Sequence, residues 1–343
     1  MKSAFKYIAP PEMVVRSTVE DPYEKRVNNW LTPWDGEEFI DAGLLGIPFS
    51  KADPWGSNAS SLAPNAIRQA FLINTTYSPD FDVDVQTLRV RDLGDVLTHA
   101  IDVAQSHANI EAAAVEFYQR FKHVPLIGIG GDHSITRPLI QGYASTHPGQ
   151  QIGIIHFDAH NDVRSFEVGG PTNGTPFRGL LEHSPAVSGK NLVQVGIHGF
   201  MNSSVYKEYC HQQGVTVISA RRVRQRGIQA VMDEAIAIAS EGTDVIYVSV
   251  DIDVLALPFA LGTGAATPEG MAAWDVLEAL FLLGQHPKVC GLDVVEIDPL
   301  RDFGETTARM GSSIILTFLG GFSQRQGDRA RWKELLTSHS SNG

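Results

Sequence analysis

The sequence has 343 residues, of which 43% are hydrophobic and 19% charged, and this composition predicts a globular protein with a large core. The formal net charge of −12 argues against nucleic acid or an anionic membrane as the main partner, although bound divalent cations would offset part of it. The two cysteines, Cys210 and Cys290, are too few for a disulfide framework or a cysteine-based zinc site, so we expect a reducing compartment.

The two ends of the chain are predicted to lie outside the main domain. No continuous apolar segment precedes the first prolines and charges, and the longest apolar stretch, residues 314–322, is too short to span a bilayer. We therefore expect a cytoplasmic protein without a membrane partner. Residues 1–35 are predicted to be a peripheral segment, residues 36–335 a single domain and residues 336–343 a flexible tail.

Short apolar runs that are rich in β-branched residues and bounded by glycine, proline or aspartate recur along the chain. Such runs are typical of strands that are buried on both faces. The predicted strands are residues 43–49, 124–130, 151–157, 191–197, 215–219, 244–250 and 289–297. Segments with helical spacing lie between them, and one of these covers residues 274–281, with Thr267 and Pro268 predicted as its N-cap and first turn. This alternation predicts a parallel sheet covered by helices on both sides.

Metal-binding or acidic side chains follow four of the predicted strands. The residues at these strand ends are His133, then Asp158, His160 and Asp162, then Asp251 and Asp253, and finally Glu296. Ligands of such sheets collect just beyond the carboxyl ends of the strands. Since alternate residues of an extended backbone point the same way, we expect Asp158, His160 and Asp162 to share one face. The same spacing predicts that Asp251 and Asp253 share a face.

The four aspartates and two histidines of this set predict a site for two metal ions. Four carboxylates packed together would be costly without compensation, and two divalent cations would neutralise them. A donor set dominated by oxygen suits Mn²⁺, with Co²⁺, Ni²⁺ and Fe²⁺ as alternatives. Two ions held about 3.5 to 4 Å apart can share a water, lower its pKa and supply hydroxide at neutral pH. Taken alone, the Asp251 motif also fits a solvated strand end, and the segment around Asp132 also fits a tight turn.

The motifs GGDHS, DAHND and SVDID occur in this order and resemble those of the ureohydrolase family, which includes arginase, agmatinase and formimidoylglutamase. The segments AGLLGIPF and APNAIRQAF, near residues 42–71, extend the resemblance to about residues 40–322. It implies an α/β fold, namely a single arginase-like catalytic domain of three α/β/α layers around a mostly parallel sheet of about eight strands. It also implies two Mn²⁺ per subunit and a homo-oligomer, either a trimer or a hexamer. The metal ligands that it implies are His133, Asp158, His160, Asp162, Asp251 and Asp253.

The same resemblance assigns residues to the substrate. Glu296, in GLDVVEIDP, falls where the family places a carboxylate that pairs with a guanidinium or amidine, with a salt bridge inside the sheet as the alternative. Residues 162–182 look most like formimidoylglutamase, and Asn173 stands where arginases place a catalytic histidine. Arg164 and Arg178 could hold the two carboxylates of a glutamyl substrate. A solvated loop or an intersubunit salt bridge is the alternative for both arginines.

The implied reaction is hydrolysis of N-formimidoyl-L-glutamate to L-glutamate and formamide, a step of histidine degradation, with Asp162 and Glu296 as catalytic residues. The proton for the leaving nitrogen would come from Asp162, from a water of the site or from His198, which could equally be a packing residue. Ala256 replaces an acidic residue of the family, and the substrate-bordering segment 262–270 departs from the family pattern. A guanidino-acid or agmatine-type hydrolase that releases urea is therefore the first alternative. A non-catalytic metal-binding protein on the same fold is the second.

Overall fold

The computed structural model describes residues 5–18, 21–37, 39–54 and 59–325. Its strands are β1 (Ile8–Ala9), β2 (Thr32–Pro33), β3 (Ala42–Gly46), β4 (Tyr77–Ser78), β5 (Val83–Asp84), β6 (Val90–Val96), β7 (Leu126–Ile129), β8 (Ile152–Phe157), β9 (Val187–Ile197), β10 (Thr216–Ser219), β11 (Val245–Asp251) and β12 (Val289–Val295). Its α-helices are α1 (Val27–Trp30), α2 (Ala63–Ala70), α3 (Val103–Arg120), α4 (Thr136–Thr146), α5 (Pro176–His183), α6 (Ser204–Gln213), α7 (Ala220–Arg226), α8 (Ile228–Ser240), α9 (Ala273–Gln285) and α10 (Thr306–Ser323). Short 3₁₀ helices cover Ser60–Leu62, Phe71–Ile73, Val85–Thr87, His133–Ile135, Gly199–Met201, Ile252–Val254 and Leu257–Phe259.

All of these strands except β4 and β5 belong to one sheet. Its order is β1-β6-β3-β7-β12-β11-β8-β9-β10, with β2 beside β6. Strand β1 pairs antiparallel with β6, and the other pairings in the sheet are parallel. Strands β1 and β2 have two residues each, so eight longer strands make up the body of the sheet in the described part of the chain. The predicted mostly parallel sheet is confirmed.

Helices cover both faces of this sheet, which gives the three predicted layers. One apolar core lies between the sheet and helices α2, α7, α8, α9 and α10, and a second lies between the sheet and helices α3, α4, α5 and α6. Successive residues of β8 alternate between the two, since Ile155 and Phe157 belong to the first core and Ile154 to the second. This alternation explains why the strands are apolar at nearly every position.

The four strands that end in the predicted site residues are adjacent in the sheet. They follow one another in the order β7, β12, β11 and β8, and all three pairings are parallel. Their carboxyl ends therefore meet at one edge of the sheet. Each of the seven predicted strands is present, although several begin or end a few residues away from the predicted positions. The predictions missed β6, which lies between β3 and β1.

Helix α9 covers the predicted helical segment but begins later than expected. Its N-cap is Ala272, so the prediction that Thr267 and Pro268 open it is wrong. The carbonyl oxygen of Thr267 instead accepts hydrogen bonds from the amides of Leu257 and Gly270, at 3.0 and 3.3 Å. These bonds close the preceding loop, and the helix begins only after that loop ends.

The segment predicted to be peripheral lies along an edge of the sheet. Strand β1 pairs with β6, and the side chains of Val27 and Trp30 are buried in the first core. The predicted tail, residues 336–343, lies outside the described residues. No helix within the described ranges combines the length and the apolar character needed to cross a bilayer.

Candidate metal centre

Five of the six predicted metal ligands lie in loops or 3₁₀ helices just beyond the strands, and the sixth, Asp251, ends its strand. Strand β8 ends at Phe157, and Asp162 in the following loop has a φ of 50°. Asp251 is the last residue of β11, while Asp253 lies in the 3₁₀ helix Ile252–Val254. The expectation that alternate residues of an extended chain share a face is therefore wrong here. The side chains converge because the backbone bends immediately after each strand.

Backbone amides hold one oxygen of each of three aspartates. Asp158 Oδ1 accepts a hydrogen bond from the amide of His160 at 2.6 Å, and Asp251 Oδ1 accepts one from the amide of Asp253 at 2.9 Å. Asp253 Oδ1 accepts one from the amide of Ala159 at 3.1 Å. The sharp turns thus use one oxygen of each carboxylate to fix the loop. The other oxygen of each lies beside the Nδ1 of a histidine, and Asp158 Oδ1 also lies near His160 Nδ1.

A first group of donors converges on His133, which begins a 3₁₀ helix just after β7. Its Nδ1 lies 3.1 Å from Asp158 Oδ2, 2.9 Å from Asp162 Oδ2 and 3.2 Å from Asp251 Oδ2. This nitrogen is buried and makes no hydrogen bond to another described residue. Three carboxylate oxygens packed around a nitrogen without hydrogen bonds are unfavourable alone, but they match the ligand set of a cation.

The far side of the His133 ring fixes its tautomer. His133 Nε2 lies 2.9 Å from Ser249 Oγ, and Ser249 donates its hydroxyl hydrogen to Asp293 Oδ1 at 2.7 Å. Since the hydroxyl hydrogen of Ser249 is used in this way, its oxygen accepts from His133, and the proton of the neutral ring is on Nε2. The lone pair of Nδ1 then faces the three carboxylates. A ligating histidine whose other nitrogen is held by a hydrogen bond is typical of metal sites.

A second group of donors surrounds His160. Its Nδ1 lies 3.3 Å from Asp158 Oδ1 and 3.1 Å from Asp253 Oδ2. Asp158 contributes to this group and to the group around His133, so its carboxylate joins the two. The side chain of His160 is 26% exposed whereas that of His133 is 1% exposed, so this second group lies on the open side of the site.

The buried carboxylates of the cluster carry negative charge that a cation would compensate. Burial, together with the negative charges of Asp253 and Asp158, raises the pKa of Asp251 well above its usual value. Burial opposes protonation of His133, but the surrounding aspartates outweigh it and raise the pKa of the imidazole well above its usual range. A bound divalent cation provides the same compensation without a proton. The residues present therefore fit a centre for two divalent metal ions.

Glu296 lies beside the cluster, directly after β12. Its backbone is left-handed, with a φ of 64°, and its Oε1 accepts a hydrogen bond from the amide of His133 at 2.8 Å. The side-chain amide of Asn173 donates to the same oxygen at 3.3 Å. Burial, and next the charge of Asp132, raise the pKa of Glu296 to about 8 in the metal-free cluster, and nearby cations, such as metal ions or an amidinium, would lower it. The structure thus brings Glu296 and Asn173 together at the edge of the predicted metal site.

The two predicted arginines have different surroundings. The amide of Arg164 donates to the carbonyl oxygen of Gly174 at 2.8 Å, and its half-buried side chain packs over that glycine, next to Asn173. Arg178 instead forms an ion pair with Glu182 at 2.8 Å, and its guanidinium lies 4.2 Å from the centre of the Tyr209 ring. The structure therefore places Arg164 close to the Glu296 side of the site. For Arg178 the contacts favour a salt bridge, and its role towards substrate stays a prediction.

His198 is a buried side chain near the loop that follows β8. Its amide donates to the carbonyl oxygen of Ala159 at 3.2 Å, and its Nδ1 lies 2.6 Å from the carbonyl oxygen of Gly196. The proton of the neutral ring is therefore on Nδ1. Its Nε2 is buried without a hydrogen bond to another described residue. These contacts agree with either of the roles that the sequence left open.

Several residues of the site were missed by the sequence predictions. They are polar residues inside otherwise apolar strands, and they lie behind the ligands: His156, Gln194, Ser249 and Asp293. All four side chains are fully buried. A polar residue in a strand that is buried on both faces needs a partner, so each of these positions carried a signal of a polar network. The sequence does not show which partner each residue has.

Comparison with known proteins places the chain in a family. The sequence model of the arginase family matches residues 40–320. A formimidoylglutamase from Halalkalibacterium halodurans is 43% identical over 301 residues, which are 88% of this chain and 93% of the relative. The crystal structure of formimidoylglutamase from Bacillus subtilis is similar with a TM-score of 0.86 and 34% identity, covering 90% of this chain and 95% of that chain. A crystal structure of a variant of Trypanosoma cruzi formiminoglutamase with Mn²⁺ has a TM-score of 0.77 and 26% identity, covering 84% of this chain and 95% of that one. The chain therefore belongs to the arginase family.

Proposed function

We propose that this protein is a dinuclear manganese hydrolase that cleaves the C–N bond of N-formimidoyl-L-glutamate to give L-glutamate and formamide. The observation that carries the proposal is that two groups of donors share Asp158 directly beside Glu296 and Asn173. Support for the substrate comes from the relative named formimidoylglutamase, which is 43% identical over 88% of this chain.

We propose six metal ligands divided between two ions. His133, Asp158, Asp162 and Asp251 would hold the first ion, because they form the group around His133 Nδ1. His160 and Asp253 would hold the second ion together with the shared Asp158. The prevalence of oxygen donors and the absence of thiolate favour Mn²⁺ over zinc. When bound, the two ions supply a hydroxide nucleophile at neutral pH and polarise the carbon that it attacks.

The residues around the centre would orient the substrate. The carboxylate of Glu296 would accept the forked N–H groups of the amidinium, and Asn173 would hold that carboxylate in place. This contact fixes the amidine carbon over the cluster, so attack becomes effectively intramolecular. Arg164 would pair with a carboxylate of the glutamyl portion. Asp162 would take the proton of the attacking hydroxide and pass it to the glutamate nitrogen, so that the C–N bond breaks as the C=O bond of formamide forms.

Product analysis tests the proposed substrate. The manganese-loaded protein would be incubated separately with formimidoylglutamate, arginine, agmatine and guanidinobutyrate, and glutamate, formamide and urea would be measured. We expect glutamate and formamide in equal amounts from the first compound and no urea from the other three. Urea from a guanidino compound, with no glutamate from formimidoylglutamate, would overturn the proposal in favour of a guanidino-acid hydrolase. Protein that binds manganese but is inert towards all four would indicate a non-catalytic metal-binding protein.

We further propose that residues 36–335 form one catalytic domain of a cytoplasmic homo-oligomer, either a trimer or a hexamer. The net charge of −12 supports a small-molecule substrate over nucleic acid as the partner. Exposed apolar side chains, including those of Leu300 and Phe303, offer surface for subunit contacts. Light scattering on the purified protein would measure the subunit number, and a monomeric mass at micromolar concentration would contradict the oligomer.

A further inference from the structure

A buried polar pair lies behind the proposed metal centre and belongs to neighbouring strands. His156 in β8 and Gln194 in β9 are partners in the parallel ladder, and both side chains are fully buried. The ring of His156 packs against that of Phe177, with 4.0 Å between the ring centres and a tilt of 34°. The packing fixes the ring in place, and the hydrogen bonds of the pair then decide which nitrogen carries the proton.

The backbone of Asn161 fixes the orientation of the Gln194 amide. Gln194 Nε2 lies 2.6 Å from the carbonyl oxygen of Asn161, and this oxygen can only accept a hydrogen bond. The NH₂ end of Gln194 therefore faces it. In agreement, Gln194 Oε1 accepts a hydrogen bond from the side-chain amide of Asn161 at 2.7 Å. Gln194 thus binds both the backbone and the side chain of a residue that lies between two proposed ligands.

This orientation determines the tautomer of His156. The same nitrogen, Gln194 Nε2, lies 3.2 Å from His156 Nδ1 and donates its second hydrogen to it. Nδ1 is then an acceptor, so the proton of the neutral ring is on Nε2. His156 Nε2 lies 2.7 Å from Asp158 Oδ2 and donates to it. His156 is therefore a hydrogen-bond donor to the shared carboxylate.

With the hydrogen bond from His156, each carboxylate oxygen of Asp158 accepts one hydrogen bond from the protein. Oδ2 receives a hydrogen bond from His156 Nε2, and Oδ1 receives one from the amide of His160. A carboxylate oxygen has two lone pairs, so each oxygen of Asp158 keeps one for a cation. Oδ2 faces the group of His133 and Oδ1 faces the group of His160. This is the arrangement that a carboxylate shared between two ions requires.

We propose that His156 and Gln194 are positioning residues that hold Asp158 as the carboxylate shared by the two metal ions. The inference rests on the proposed function, since it assumes that the cluster binds metal. Gln194 sets the tautomer of His156 and ties down the loop at Asn161, and His156 orients Asp158. Without them Asp158 can rotate, and the two donor groups lose their common ligand. Changes in such outer hydrogen-bond partners lower metal affinity by about 10- to 100-fold.

Nearly isosteric substitutions separate the hydrogen bonds from packing. Methionine and glutamine have similar length, but only glutamine offers an N–H donor at the position of His156 Nε2. We expect His156→Met and Gln194→Met to weaken Mn²⁺ binding about 10-fold or more, and His156→Gln to keep it within about threefold of the wild type. The measurement is titration of each metal-free, full-length protein with Mn²⁺. Electron paramagnetic resonance reports free Mn²⁺ and the coupled signal of the dinuclear centre.

Thr243→Val is the matched control. Thr243 is buried and donates a hydrogen bond to the carbonyl oxygen of Ala239 at 2.6 Å. It lies just before β11, on the side of that strand opposite to Asp251. Its loss removes one buried hydrogen bond without touching the cluster. We expect Thr243→Val to lower thermal stability, because it too loses a buried hydrogen bond, while leaving the Mn²⁺ titration unchanged.

The possible outcomes are distinct. Weak binding by both methionine variants, with recovery in His156→Gln, supports the positioning role. Equal weakening in His156→Met and His156→Gln would assign the effect to lost ring packing and overturn it. Wild-type affinity in both methionine variants would also overturn it, while the metal centre itself would stand. A wild-type protein that binds no Mn²⁺ would overturn the proposed function, and this inference with it.

Discussion

Replacement of Glu296 with glutamine is expected to impair substrate use while leaving metal binding intact. Oε1 of Glu296 accepts hydrogen bonds from the amide of His133 and from Asn173, at 2.8 and 3.3 Å. The amide oxygen of glutamine can keep both, so we expect the fold around His133 to persist. The variant loses the negative charge that would face the amidinium and offers it an NH₂ group instead. The experiment therefore tests the charge separately from the structural hydrogen bonds.

The size of the effect follows from the hydrogen bonds that change. Hydrogen bonds to charged groups contribute about 1.5 to 3 kcal/mol, whereas neutral ones contribute about 0.5 to 1.5 kcal/mol. Because an NH₂ group cannot accept a hydrogen bond, two N–H contacts from the substrate would be lost at about 1.5 kcal/mol each, and a total of about 3 kcal/mol is a factor of about 150 in kcat/KM. Steady-state kinetics with formimidoylglutamate would measure this loss, and metal analysis would show two Mn²⁺ still bound. A kcat/KM within about twofold of the wild type would refute a substrate contact at Glu296.

Three further substitutions test other parts of the argument. Asp251→Asn can keep the hydrogen bond from the amide of Asp253, but it turns an NH₂ group towards His133 Nδ1. Metal analysis should therefore show loss of Mn²⁺, while the stability of the metal-free protein stays unchanged. Two retained ions with full activity would remove Asp251 from the ligands. Arg164→Ala should raise KM about 10-fold with little change in kcat, and an unchanged KM would mean that the glutamyl carboxylates are held elsewhere. Arg68→Leu should lower the free energy of unfolding by about 3 to 5 kcal/mol, because it leaves Asp92 and Asp95 buried without their partner. Urea denaturation would measure the free energy of unfolding. The control is Arg309→Leu, at an exposed ion pair, which should lower that free energy by no more than about 1 kcal/mol. Similar losses in the two variants would contradict the reasoning.

The strands that the sequence revealed are those whose two faces both meet an apolar core. Such strands are apolar at nearly every position, and this pattern does not depend on tertiary partners. Strand β6 was missed because its sequence, VRDLGDV, contains Asp92 and Asp95. Both carboxylates are buried in the structure because Arg68 of α2 pairs with them at 2.8 Å. An ion pair between distant segments leaves no local pattern, so a single sequence could not predict this strand.

The candidate site was predictable in its residue types but not in its geometry. Motifs after four parallel strands were enough to bring His133, Asp158 and Asp251 to one edge of the sheet, because parallel strands end on the same side. The supporting pair of His156 and Gln194 could not be predicted, since it depends on which strand lies beside β8 and in which register. Sequence spacing constrains neighbours along the chain, whereas strand register is set by the whole sheet.

Backbone conformation at Asp162 and Glu296 shows why strand periodicity fails at the site itself. Both have positive φ, at 50° and 64°, which is uncommon for residues other than glycine and costs about 1 to 2 kcal/mol. In β12, Val294 faces the first core and Val295 the second, so an extended continuation would direct Glu296 towards the first core. The left-handed turn instead brings its carboxylate to the backbone amide of His133, beyond the end of β7. The proposed substrate-binding group and a proposed metal ligand are thereby joined by one hydrogen bond between adjacent strands. The distance from the substrate to the metal ions would then be set by the sheet, and a mobile loop would not be needed to define it.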